Sequence, residues 1–252
     1  MKYFSQFSPN VENYSIDESF VSLEGFGSRD LTEYGKEMRA TVLKWTGIPT
    51  SVGIGSTKTL AKIANKLSKK NKMCRSVLDL TNHSRLDDFL ASVEVGDVWG
   101  VGRRYAMLLK AHGINTALDL RNAPDGFIRK HMTVKGLRTV WELRGTPCIE
   151  LNEISPDKKE IINSRAFGKD VSDYKELSEA IASYATRAAE KLRSQNSICG
   201  LISVWIQTNL FKPDKPQYSN SISCKLPEPT AFTPMLIKYA LHLLKENLSK
   251  RI

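Results

Sequence analysis

Two glycines flanking one apolar residue, in Val98-Trp99-Gly100-Val101-Gly102-Arg103-Arg104, constrain this chain more than any other feature. Glycine reaches backbone conformations that other residues avoid, so an apolar-Gly-apolar-Gly run marks a tight turn. Behind it, Leu108-Leu109-Lys110-Ala111-His112-Gly113-Ile114 reads as a helix stopped at Gly-Ile. Together they fit a helix-hairpin-helix. The amides after such a hairpin suit a backbone phosphate of DNA, and Arg103 and Arg104 add charge, in contacts blind to base sequence. The alternative is a plain glycine turn between packed helices.

Charge bears on that choice. Thirty-seven Lys+Arg against 27 Asp+Glu give a formal net charge of +10 and an isoelectric point near 9.4. A basic surface favours a polyanionic partner through counterion release. A hydrophobic content of 41% with 25% charged residues is ordinary for a folded soluble protein, and a cytoplasmic one is expected. No stretch is long and apolar enough to suggest a membrane span, and the N-terminus lacks the basic-then-apolar order of a signal peptide. Cys74, Cys148, Cys199 and Cys224 lie far apart and form no CxxC pair, which argues against structural zinc and for reduced thiols.

Residues Val11–Leu23 read as two short strands around a polar centre. Tyr14, Ile16 and Phe20 share one parity and Val21 and Leu23 the other, a phase change that suits a hairpin or bulge. Asp30–Trp45 is an amphipathic helix ended by Gly47 and Pro49, followed by a strand over Ser51–Gly55 and a helix from Thr57 to about Lys70. Ser76–Leu80 is a further strand, and Ser84 to Glu150 is helical. A linker with Pro, Lys and Glu, Asn152–Glu160, precedes a strand at Ile162–Phe167, a helix at Lys175–Ser194, strands at Cys199–Thr208 and Ser221–Leu226, and a helix from about Thr233.

Within the first hairpin lies Tyr14-Ser15-Ile16-Asp17-Glu18. Neighbouring side chains on a flat strand point to opposite faces, so Asp17 and Glu18 serve one site only at a distorted strand end or hairpin tip. Two carboxylates there could hold Mg²⁺, a hard cation that takes a few carboxylate oxygens plus substrate phosphates. The plainer reading is a solvated Asp-Glu turn, and for a bare dipeptide it is the commoner one.

Ser51-Val52-Gly53-Ile54-Gly55-Ser56-Thr57-Lys58 superficially suggests a phosphate loop. Lys58 follows Gly55 by three residues instead of one, which excludes the Walker A pattern. The physics of an anion site remains: a strand turns through glycines into a helix N-terminus that favours phosphate. Lys58, Lys62 and Lys66 recur every four residues and share one helix face, while Leu60, Ile63, Ala64 and Leu67 face a core. That lysine stripe is equally compatible with a solvated surface.

These elements, in this order, resemble the Y-family DNA polymerases. Tyr14-Ser15-Ile16-Asp17-Glu18 looks like the family's second metal-binding motif, Gly53-Ile54-Gly55 through Lys66 like its lysine segment, and Val98–Ile114 like its thumb hairpin. Trp141-Glu142-Leu143-Arg144-Gly145, Ser164-Arg165-Ala166-Phe167-Gly168 and Tyr218-Ser219-Asn220-Ser221 are similar to the UmuC branch. The resemblance covers nearly the whole chain. It implies an α+β fold with a partial palm (1–82), a small helical thumb with the helix-hairpin-helix (83–151), a linker (152–162) and an α/β little finger (163–252).

It further implies that Asp17 and Glu18 ligate catalytic Mg²⁺ and that Lys62 meets the triphosphate of the incoming nucleotide. Lys58, Gly100, Gly102, Arg103, Arg104 and Arg165 would contact DNA. The activity implied is template-directed nucleotidyl transfer opposite damaged DNA in the SOS response. Implied partners are primer-template DNA, dNTPs, the processed UmuD dimer, a recombinase filament and the sliding clamp. The family's Asp-x-Asn-x-Phe-Tyr metal motif is absent, Met1 falls inside an expected helix, and the chain stops in a helix where the little finger should add a final strand, so both ends look truncated. A catalytically deficient DNA-binding fragment is therefore the competing expectation. A nuclease built on the carboxylate pair has little support, because no further acidic or histidine cluster accompanies it. Gln207-Thr208-Asn209-Leu210-Phe211 resembles a clamp-binding peptide, but its place at a strand end inside the little finger favours a structural role.

Overall fold

The structure, a computed structural model, describes residues 4–70, 76–152 and 157–249. Cys74, residues 153–156 of the expected linker and the last three residues lie outside the described residues. The chain divides into two units, Met1–Ser155 and Pro156–Ile252.

The first unit opens with a β-hairpin. Strand β1 (Val11–Asn13) pairs antiparallel with β2 (Ser19–Val21), with Val11 opposite Val21 and Asn13 opposite Ser19. Helix α1 (Leu31–Thr46) starts at Asp30, whose carboxylate accepts from the amides of Thr32 and Glu33, and stops at Gly47 in the left-handed conformation (φ 69°). A parallel pair follows: β3 (Val52–Ile54), helix α2 (Lys58–Lys70) as crossover, and β4 (Val77–Asp79), with Val52 opposite Val77. Helices α3 (Leu86–Ala91), α4 (Arg103–Ala111), α5 (Ala117–Asn122) and α6 (Asp125–Leu143) complete the unit, α6 being broken at Thr133 (φ 65°).

The larger hydrophobic core of this α+β unit joins its helices to the parallel strands, and a smaller cluster of Phe7, Tyr34 and Met38 lies under α1. Leu60, Ile63 and Ala64 of α2 join Leu78 and Leu80 around β4, Leu109 of α4, Leu120 of α5 and Ile128, Val140 and Leu143 of α6. The apolar face expected for α2 is thus the buried one. The glycines of β3 have a packing role. A Cβ on Gly53 would lie 2.0 Å from the amide nitrogen of Asn65, and one on Gly55 would lie 2.7 Å from that of Ala61. Only glycine lets β3 and α2 approach this closely.

In the second unit, helices α7 (Tyr174–Ser194) and α8 (Thr233–Ser249) pack against one antiparallel pair, β5 (Cys199–Gln207) and β6 (Ser219–Thr230). Val204, Ala240 and Leu243 form part of its core, and Ala189, Leu192, Leu226 and Leu236 another. The expected strand at Ile162–Phe167 does not form: residues 161–167 take no regular structure. Its alternating pattern finds no strand to pair with among the described residues, and Ile162 and Phe167 are left exposed. Strand β5 ends within one residue of the expected Thr208. Residues after Gln207 form the hairpin tip, with Leu210 63% and Phe211 95% exposed, so the Leu-Phe pair is not part of the structural core.

Candidate metal and nucleic-acid site

The hairpin between β1 and β2 closes over Tyr14–Glu18, where the amide of Ser15 donates to the Glu18 carbonyl (3.0 Å). This is the distorted tip that the parity change implied. Asp17 is exposed, and its Oδ1 accepts from the Ser15 hydroxyl (2.7 Å). Both oxygens of Glu18 accept from the Lys62 ammonium, at 2.8 and 2.6 Å.

The lysine stripe of α2 therefore faces acidic residues. Lys58 pairs with Glu12, Lys62 with Glu18, and Lys66 with Asp97 at 2.6 Å. Lys58, expected on DNA, is only 8% exposed. Its ammonium is held by the Glu12 carboxylate and the Glu150 carbonyl (2.6 Å), and Glu12 also accepts from the Asn152 amide (2.9 Å). Here Lys58 ties α2 to the hairpin and to residues 150–152, because a charge this deep needs a partner in the protein.

The N-terminus of α2 is occupied as well. The amide of Thr59 donates to Oε2 of Glu142 (2.9 Å), while Oε1 accepts from the amides of Cys148 (2.8 Å) and Ile149 (3.1 Å). Glu142 is fully buried. The anion that the helix N-terminus attracts is the chain's own carboxylate, not a phosphate. Burial, and next the charge of Glu142, push the Cys148 thiol up against the opposing effect of Arg138.

Aromatic side chains join the hairpin tip to the glycine turn. The indole of Trp99 donates to the Tyr14 hydroxyl (3.0 Å), and the rings of Tyr14, Phe20 and Trp99 lie 5.5–5.7 Å apart. The Lys62 and Lys58 ammonium groups lie 5.4 and 4.9 Å from the Tyr14 and Phe20 ring centres. Glu18, Lys62, Lys66, Asp97 and Trp99 line a cleft of about 320 Å³.

The turn itself is built as the spacing implied. Val98 and Val101 are buried pegs, Gly100 takes φ 90°, and α4 begins directly after Gly102. Arg103 and Arg104 are exposed at the start of α4, and nothing lies within 4 Å of a Cβ built on Gly102. Arg165, also exposed, belongs to the second unit. Glu18 and Lys62 thus meet at one cleft that Trp99 of the glycine turn also lines, while Asp17 stays exposed on the hairpin tip and does not line it. Glu12, Glu142, Tyr14 and Trp99 are the supporting residues that spacing alone did not single out.

Among the described residues, no group of three or more His, Cys, Asp or Glu side chains could hold a metal ion. The donor set nevertheless fits a hard divalent cation in kind. Asp17 and Glu18 offer carboxylate oxygens at a solvent-facing tip beside an open cleft, and substrate or solvent oxygens would complete the shell.

Three family models match the chain: the impB/mucB/samB family over residues 1–66, the IMS family HHH motif over 83–114, and the impB/mucB/samB family C-terminal domain over 158–252. Protein UmuC of Salmonella typhimurium is 48% identical over 97% of this chain and 58% of that protein. Protein ImpB of Salmonella typhimurium is 42% identical over 97% of this chain, again 58% of the relative. The chain thus spans somewhat over half the length of the curated relatives it matches. A solved Y-family DNA polymerase chimera superposes with a TM-score of 0.69 at 20% identity, covering 99% of this chain and 69% of that one, which shows a shared fold. No helix among the described residues is long and apolar enough to cross a membrane. The matched models together cover more than half of the sequence, the helix-hairpin-helix included, and the chain belongs to the impB/mucB/samB family, in the UmuC branch of the Y-family DNA polymerases.

Proposed function

We propose that this chain carries part of the active site of a translesion DNA polymerase of the SOS response, a nucleotidyltransferase acting on primer-template DNA. The observation that carries the reading is the meeting of Glu18 and Lys62 in a cleft lined also by Trp99 of the glycine turn, with Asp17 exposed on the hairpin next to Glu18 in sequence. Asp17 and Glu18 would hold Mg²⁺, which when bound would supply charge neutralisation for the phosphates and lower the pKa of a primer hydroxyl. Lys62 meets the triphosphate of a dNTP. Phosphoryl transfer needs little beyond positioning and charge stabilisation, which these groups supply.

The DNA grip comes from the turn. Gly102 leaves room for the backbone, Gly100 supplies the left-handed turn (φ 90°) packed against Thr139, and Arg103, Arg104 and Arg165 contribute charge. Residues 1–82, 83–151 and 163–252 correspond to palm, thumb and little finger, with a linker at 152–162. Lys58 and the α2 N-terminus are assigned to holding the site together.

Among partners, the sliding clamp has a specific observation in its favour: Leu210 and Phe211 stand exposed at the β5–β6 hairpin tip. Large apolar side chains at a loop tip suit docking into a pocket. Loss of clamp affinity on Phe211→Ala supports that partner, and unchanged affinity removes this tip from consideration. The processed UmuD dimer and a recombinase filament remain family-level partners, and a cytoplasmic location follows from the same reading.

Primer extension with Mg²⁺ and one dNTP at a time tests the activity. Addition directed by the template base is expected. Tight primer-template binding without addition supports the second reading, a DNA-binding chain without catalysis, which the Glu18–Lys62 pairing favours because it leaves only Asp17 unpaired by an ammonium.

A further inference from the structure

Resting on the metal and triphosphate roles just given, we propose that Glu18 and Lys62 hold each other in reserve and exchange into those roles together. Both Glu18 oxygens accept from the Lys62 ammonium, at 2.8 and 2.6 Å. A carboxylate held in this way is not a free donor to a divalent ion, and an ammonium held in this way is not a free partner for a phosphate. The pair is part-buried, with side-chain exposures of 23% for Lys62 and 32% for Glu18, so water only partly weakens it. The Lys62 ammonium also lies over the Tyr14 ring, 5.4 Å from its centre.

Metal binding therefore has to displace the ammonium from Glu18, and triphosphate binding has to draw it away. Either event prepares the site for the other. Linkage makes the coupling reciprocal: whatever factor metal adds to triphosphate affinity, triphosphate adds to metal affinity. In the isolated protein Glu18 and Lys62 neutralise each other, and adventitious metal or phosphate alone has to compete with an internal partner. Lys66, the next lysine of the stripe, pairs with Asp97 instead and serves as the comparison.

The proposal has an unusual sign. A lysine that only binds triphosphate should leave metal affinity unchanged when removed, whereas here its removal frees a metal ligand. The test measures Mn²⁺ affinity by electron paramagnetic resonance on the unliganded protein, without DNA or nucleotide. Lys62→Ala is expected to tighten Mn²⁺ by about fivefold or more, and Lys66→Ala to stay within about twofold of wild type. Lys62→Met keeps most of the side-chain volume without the charge and should match Lys62→Ala, which guards against a folding defect. In the reciprocal arm, Glu18→Gln is expected to tighten inorganic triphosphate by about fivefold.

Equal tightening by Lys66→Ala would show a general field effect and overturn the proposal. Wild type and Lys62→Met binding Mn²⁺ with one affinity would overturn it too, while leaving the metal site standing. If no form binds Mn²⁺, the metal role of the hairpin fails and the exchange fails with it.

Discussion

Single residues hold this fold at points where charge meets a backbone amide. Glu142 is the clearest: three amides from two separate segments converge on its buried carboxylate. Glu142→Gln keeps the volume but replaces charge-assisted hydrogen bonds with weaker ones and sets an amide group against N–H donors. We expect a loss of about 2–4 kcal/mol, read by denaturant unfolding. Asp119 works at the surface. The Asn115 amide, then Thr116, hold its carboxyl below the ordinary aspartate range. A depressed carboxyl stabilises the fold above its unfolded-state pKa of about 3.9, and that contribution disappears as pH falls through the folded value. Thermal melts between neutral pH and pH 3 should show Asp119→Asn less stable at neutral pH and less sensitive to acid than wild type. Neither Glu142 nor Glu12 was legible beforehand as a partner. Their contacts join residues far apart in sequence, and helical spacing tells which side chains share a face, not what lies across from it. The stripe of Lys58, Lys62 and Lys66 was read correctly as one face, but the three acids opposite it were not visible.

Elements were more legible, because their signals are local. Asp30 and Gly47 bracket α1 as cap and stop residues should, and the parity change at Tyr14–Glu18 marks the hairpin tip. The strand at Ile162–Phe167 shows the limit: alternation proposes a strand, but only a neighbouring edge makes one. Glycines separate two kinds of element contact. Gly53→Ala places a Cβ 2.0 Å from the Asn65 nitrogen in the β3–α2 contact and should abolish soluble folded protein. Gly102 has an ordinary φ of −77° and open space around it, so Gly102→Ala should melt within a few degrees of wild type. If that space admits a DNA backbone, the same variant loses primer-template affinity. A full-affinity Gly102→Ala would place the DNA elsewhere.

At the scale of the whole molecule, the two units have separate cores, and the second has its own helices and sheet. Residues 156–252 expressed alone should melt cooperatively and give a helical circular-dichroism spectrum. The net charge of +10 predicts a salt-sensitive grip on DNA, with the logarithm of affinity falling linearly against the logarithm of salt concentration. Arg103→Ala should make that slope shallower by about one, because it removes one phosphate contact.

The most direct measurement of the central assignment is primer extension by wild type and Asp17→Ala at equal DNA occupancy, with Mg²⁺ and all four dNTPs. Asp17 is the exposed hairpin carboxylate, and its substitution should leave the fold and DNA binding intact. Template-directed extension by wild type and none by Asp17→Ala is the expected result. Extension unchanged by the substitution, or bound DNA that neither protein extends, would contradict the assignment of the hairpin carboxylates to catalysis.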